Sequence, residues 1–301
     1  MFDFYIRHEY WFAAVQLSLA MLGMGATLRI RDFAAVFLQP WPLLVGLLVQ
    51  MILVPLSIWA LISWAVPEPG LAIGLALCAA IPGGTMSNVF TFLARGHVPL
   101  SIAMTAVTTL ACLVTTPIVL GLLIAQHMPA DFDMPAAQMA VEIALILLLP
   151  LLLGMLVLHF AAEIAPRFSK YCIRGSIFCI VLIIIGATGA DRIDMVAFGA
   201  ENLQLVFVML IILIVISWLV PLFLKLKSEE CTAINIEVTV RNGNLGLLIK
   251  ASLFPAVVGM ADPVGDMVLT TVLAYGGMAI MAGLAQIFIH GLINKRLAPA
   301  T

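Results

Sequence analysis

Apolar residues run along this chain in long stretches parted by short polar connectors. A hydrocarbon core about 30 Å thick calls for about 20 apolar residues per helix. Stretches near 11–28, 40–66, 70–94, 98–125, 136–160, 175–190, 203–225, 231–255 and 266–291 read as nine transmembrane helices. The connectors are too short for a soluble appendage, so residues 1–301 read as a single all-α integral membrane domain. The opening MFDFYIRHEYWF mixes charges with aromatics and has no clean apolar core or cleavage site. It reads as the start of the mature protein rather than a signal peptide.

Composition narrows the class. Hydrophobic residues make up 63% of the chain and charged ones 10%, with a mean hydropathy of +1.17. Ordinary soluble domains carry about 25% charged residues. So little polar surface excludes a soluble enzyme and a disordered chain, and a net charge of −2 excludes a nucleic-acid binder. Five cysteines without a CxxC pair argue against a disulfide scaffold or a zinc site.

Charge placement orients the bundle. With nine spans, Arg29, Arg31, Arg95, Arg167, Lys170, Arg174, Lys225, Lys227, Lys295 and Arg296 all fall at one end. The other end holds Arg7 and Arg192 among acids that include Asp3, Glu9, Glu68, Asp131, Asp133, Asp191 and Asp266. The N-terminus is then expected outside and the C-terminus in the cytoplasm, as in a multi-pass protein of a bacterial inner membrane. Four charges remain inside spans: Glu142, Glu237, Arg241 and Lys250. Each would cost about 2.5–3.5 kcal/mol at membrane depth on insertion scales, so each is a functional candidate. Glu142 and Lys250 sit near span ends and are expected to snorkel to the interface. Glu237 and Arg241 have no such escape.

Two spans are interrupted in mid-membrane. Pro82-Gly83-Gly84-Thr85 breaks the third and Asn242-Gly243-Asn244 the eighth. Proline removes a donor and clashes with the preceding turn, while glycine relaxes the backbone. Freed backbone groups survive in a membrane only when buried in protein or lining a cavity, and paired interruptions are the best sequence pointer to a transporter's binding site. Ser87 and Asn88 follow one break, and Glu237 precedes the other. Ser101 and Thr105, four apart, share a face of the fourth span. Together they offer neutral oxygens and one carboxylate, a set suited to Na⁺, although such hydroxyls can also bond back to the carbonyl four residues earlier.

Three stretches carry a resemblance: LGMGATLRIRDF, PGGTMSNVFTFLARGHVPLSIAMTAVTTLACLVTTP and NIEVTVRNGNLG. In sequence, order and position along the hydropathy profile they are similar to signature segments of the bile acid:sodium symporter family. The resemblance implies a nine-span member built from inverted repeats of four and five spans. A core domain (about 70–125 and 203–291) would hold the two crossing, discontinuous helices. A panel domain (about 11–28, part of 40–66, 136–160 and 175–190) would move against it in alternating access.

It further implies one sodium among Ser87, Asn88, Ser101, Thr105 and Glu237, and an organic anion against Thr85, Asn242 and Gly243. A second sodium would use Gln50, Glu237, the carbonyls of Val238 and Val240, and a glutamine where this chain has Arg241. A guanidinium carries donors only and cannot ligate a cation. Arg241 therefore either replaces the second ion, pairing with Glu237 and Gln50, or turns into the cavity to bind an anionic group. The implied function is sodium-coupled symport of a bile-acid-like anion or a small carboxylate such as pantoate, with one ion rather than two. The alternative is a sodium-independent facilitator of the same fold. An enzyme is not expected, because the five histidines lie near span ends or loops without a GxSxG, HExxH or paired-aspartate pattern.

Overall fold

A computed structural model describes residues 2–29, 40–127 and 134–297, with the side chains of Thr85, Gln126, Arg296 and Leu297 left aside. Arg31, Asp131 and Asp133, used above to orient the chain, lie outside the described residues. The elements in order are α1 (Phe2–Gly25), α2 (Pro40–Ala65), α3 (Pro69–Ala80), α4 (Thr85–Leu93), α5 (Val98–Ile124) and α6 (Ala136–Phe160). There follow α7 (Ala165–Gly189), α8 (Met195–Phe223), α9 (Ser228–Thr239), α10 (Gly243–Leu253) and α11 (Pro263–Leu297). Six of these (α2, α5, α6, α7, α8 and α11) are long and apolar enough to cross a membrane. Their outward faces are apolar too, with Trp64, Phe160, Phe223 and Phe288 exposed.

Prolines shape the long helices. A widened π-type turn at Val49–Leu53 in α2 precedes Pro55, and another at Ile143–Leu148 in α6 precedes Pro150. The proline ring displaces the carbonyl one turn back, and the wider turn absorbs that displacement. In α2 this turn carries Gln50.

The first helix starts well before the expected residue 11. Its early charges do not end it, because Glu9 is buried against cations from other elements. Helix α1 packs along α7 and α6, crossing α6 where Gly25 meets Gly154. A Cβ on either glycine would collide with the opposing backbone, the small-residue approach that lets membrane helices pack closely. The remaining helices form a second group: α3 lies against α11 and α5, and α9 against α8, α4 and α5. Helix α10 bridges the groups, touching both α1 and α11.

Candidate functional site

The two interruptions meet. Between α3 and α4, and between α9 and α10, the chain runs extended, and the two links pair antiparallel at Gly83 and Arg241. Gly84 N donates to Val240 O and Asn242 N to Pro82 O, each at 2.9 Å. The other freed carbonyls are also accounted for. Arg241 Nη1 donates to Ala79 O at 3.0 Å and to Ile81 O at 2.6 Å, and Thr116 Oγ1 to Ala80 O at 2.9 Å. On the opposite strand Arg241 Nε donates to Val238 O at 3.2 Å and Tyr275 Oη to Thr239 O at 2.8 Å. Pairing of this kind is what an irregular backbone at membrane depth demands.

Glu237 is fully buried beside this crossing. Ser87 Oγ lies 2.5 Å and Ser101 Oγ 3.1 Å from its Oε2, and Thr105 Oγ1 2.6 Å from its Oε1. Asn88 Oδ1 faces the same hydroxyls, 2.8 Å from Ser101 Oγ and 3.4 Å from Thr105 Oγ1. Thr91, unremarked in the sequence, donates to Ser101 Oγ at 3.3 Å. The five residues that the resemblance assigns to one sodium thus form a single oxygen cluster drawn from α4, α5 and α9. Back-bonding is present as well, since Thr105 Oγ1 is 3.0 Å from Ser101 O and Ser87 Oγ 2.6 Å from Gly84 O. The hydroxyls therefore face more acceptor oxygens than they have protons to give. Gly83 makes the arrangement possible, because a Cβ there would run into the Glu237 carboxylate.

The expected pairing of Arg241 with Glu237 and Gln50 does not form. Its Nε and Nη1 are taken by carbonyls, and Nη2 has no hydrogen-bond partner. Both amide atoms of Gln50 are buried and also without a partner. The broken helices supply other partners: α3 and α9 end at this point, and their C-terminal carbonyls take the guanidinium's donors. Gln50 instead lines a small cavity with Pro55, Ala79, Pro82, Thr108 and Cys112.

Of the expected anion contacts, Asn242 is buried and its Oδ1 accepts from Leu245 N at 3.3 Å, capping α10. A Cβ added at Gly243 would meet nothing within 4 Å, so space is open on that side. The side chain of Thr85 lies outside the described ones. Lys250 corrects the sequence reading: it is completely buried rather than snorkelling, with Nζ 2.7 Å from Glu9 Oε1. Glu142 stays near the surface, accepting from Gln138 Nε2 at 2.8 Å.

Sequence reasoning also missed a polar stripe on α11. Gln286 and His290 both reach Asn235 Oδ1 of α9, at 2.7 and 2.9 Å, and Asn294 donates to Thr232 Oγ1 and Ala94 O. The spacing of four was the available signal, since it stacks these residues on one helix face.

A buried acid ringed by hydroxyls, set where two interrupted helices cross in an apolar bundle, marks a membrane transporter and not an enzyme. The chain belongs to the sodium bile acid symporter family, whose model matches residues 14–197. It is 28% identical over 243 residues to the uncharacterized sodium-dependent transporter YocS of Bacillus subtilis, covering 81% of this chain and 74% of that one. It is 26% identical over 290 residues to a human sodium-dependent organic anion transporter, covering 95% of this chain and 74% of the relative. Against the probable chloroplastic sodium/metabolite cotransporter BASS2 of rice the identity is 36% over 156 residues, about half of this chain and 35% of that protein.

Proposed function

We propose that this protein is a secondary active transporter that couples entry of an organic anion to sodium by alternating access. The carrying observation is the cluster of hydroxyl, amide and carboxylate oxygens from three elements around Glu237. Hard cations take oxygen ligands of this sort. A sodium ion held by Ser87, Asn88, Ser101, Thr105 and Glu237 would tie α4, α5 and α9 together beside the crossing where substrate enters. The names of the relatives support sodium use and an anionic or metabolite substrate. A carboxylate, whether bile-acid-like or as small as pantoate, would meet the positive dipole ends at the N-termini of α4 and α10, with room beside Gly243.

The same reading gives nine crossings, with α3–α4 and α9–α10 each making one interrupted span, in repeats of four and five. Helices α1, α6 and α7, with part of α2, form the panel; the others form the core. The Lys/Arg-rich ends face the cytoplasm, across a bacterial inner membrane. Arg241 acts as a built-in cation at the second ion site. It neutralises the carbonyl ends of α3 and α9 without touching Glu237, so one sodium is transported per cycle.

The test is uptake of a panel of labelled organic anions into proteoliposomes. Concentrative uptake that needs an inward sodium gradient, and that Glu237→Gln abolishes, supports the reading. Uptake that equilibrates equally with and without sodium would establish the facilitator instead.

A further inference from the structure

At the end of the bundle that carries the N-terminus, four charged residues form a continuous line of contacts that the ion site does not use. Lys250 Nζ lies 2.7 Å from Glu9 Oε1, Arg192 Nη1 2.8 Å from Glu9 Oε2, and Arg192 Nε 2.5 Å from Asp266 Oδ1. These residues come from four places: α1, the link between α7 and α8, α10 and the first turn of α11. Two cations meet two carboxylates, so the cluster is neutral. We propose that it is a latch, closing this end of the transporter and parting each time the end opens. The proposal rests on the alternating-access reading above.

The latch joins the two helix groups. Glu9 belongs to α1, which packs with α6 and α7, while Asp266 belongs to α11 of the other group and Lys250 to α10, which touches both. A permanent strut between them would be made more cheaply from apolar side chains, because buried ion pairs seldom repay their desolvation against a well-packed apolar replacement. A contact that must open to water reverses that comparison. Separated charges are rehydrated and recover the lost solvation, whereas a parted apolar seal exposes greasy surface.

Burial falls off along the chain of contacts. The Asp266 side chain is 25% exposed, Arg192 8%, Glu9 6% and Lys250 0%. Water entering from the Asp266 side would reach the Arg192–Asp266 contact first and the Glu9–Lys250 contact last. Two further donors stand ready at the cluster with no acceptor while it is closed: Arg192 Nη2 and the Tyr5 hydroxyl.

The latch also has a mechanical line to the ion site. Lys250 lies in the last turn of α10, whose other end, at Gly243, begins at the crossing. Seven residues of helix separate them, about 10 Å at 1.5 Å per residue. A cation that fixes α9 at Glu237 therefore acts on a helix pair whose far end carries one arm of the latch.

The experiment uses the full chain with Cys78, Cys112, Cys172, Cys179 and Cys231 changed to alanine and one new thiol, Ala13→Cys. Ala13 is buried one turn along α1 from Glu9. A membrane-impermeant maleimide is applied from the side of the N-terminus, with and without sodium. Glu9→Gln is expected to raise the labelling rate about tenfold, and Asp266→Asn, which removes only the outermost contact, about threefold. Should Glu9→Gln fail to purify as a monodisperse protein, Asp266→Asn and Arg192→Lys decide the matter alone. Labelling equal to the parent in every folded variant, while the parent itself responds to sodium, would leave a static strut and overturn the latch. A parent whose labelling ignores sodium and which shows no uptake would instead sink the transport reading beneath it.

Discussion

Glu9 and Glu237 are both buried carboxylates, and their surroundings are opposite in kind. Glu9 is met by two cations, at 2.7 and 2.8 Å, and its charge is cancelled by the chain itself. Glu237 is met by three hydroxyls, at 2.5, 2.6 and 3.1 Å, while the guanidinium four residues on is turned to backbone carbonyls. Hydroxyls solvate an anion without neutralising it, and a naked charge in a low-dielectric interior is expensive. The shell of partners therefore separates a carboxylate matched by the chain's own cations from one met by hydroxyls, the one we propose receives the sodium ion. Burial alone would have ranked the two together.

Removing each charge in turn breaks the comparison most sharply. Glu237→Gln is expected to abolish sodium-stimulated uptake, a loss of at least about 100-fold, because the only fixed negative charge in the oxygen cluster goes. The fold should survive, since an amide can still meet Ser87, Ser101 and Thr105. Glu9→Gln should do the reverse to the fold, leaving Lys250 buried without an anion and Arg192 with Asp266 alone. Stranding a buried charge such as Lys250 costs about 3–5 kcal/mol, to be read as a fall in Tm of the detergent-solubilised protein. Sodium in the melt adds a second reading. At about 100 times its Kd a bound ion stabilises by about 2.7 kcal/mol. It should raise the Tm of the parent and of Glu9→Gln, but not of Glu237→Gln. Sodium stabilisation that persists in Glu237→Gln would place the ion elsewhere.

A step down in size are the neutral ligands. Thr105→Val and Ser101→Ala each remove one oxygen and keep the charge. The sodium concentration for half-maximal uptake is expected to rise about tenfold in each, matching a loss of about 1.4 kcal/mol. The same substitution at Thr108, whose hydroxyl is occupied by the Met104 carbonyl at 2.8 Å, should leave sodium dependence unchanged.

How much of this was legible in advance follows from what the signals measure. Hydropathy found the six long apolar helices, because long apolar runs and the bilayer thickness leave little choice, and the breaks were legible because Pro82 and Gly243 announce themselves. The oxygen cluster was readable as residue types near those breaks, with the family resemblance selecting among them. Lys250 was misread, since distance from a span end says nothing about a partner 241 positions away on α1. The same blindness to long-range pairing set the start of α1 too late, with Glu9 taken for a connector residue. Arg241 lies at the crossing, but its partners are carbonyls and not the expected side chains. A one-turn spacing along a helix suggested Glu237, but the chain leaves the helix at Val240, and the side chain follows the extended link to the end of α3 instead.

The smallest expected effect falls on that residue and asks whether the protein carries one cation of its own at the crossing. Arg241→Gln removes the donors that Ala79, Ile81 and Val238 now share and puts an amide oxygen among carbonyls already aimed at a positive charge. If the guanidinium substitutes for an ion, the variant should bind a second sodium, and the Hill coefficient for sodium should move from about one toward two, with little change in substrate KM. The crossing should also become more dependent on sodium for its stability, because the cation that held the ends of α3 and α9 would come and go. A raised substrate KM with an unchanged Hill coefficient would show instead that the unpartnered Nη2 of Arg241 serves the anion. The contrast between the two carboxylates would then stand, but the crossing would hold a substrate group where the reading above puts a captive ion.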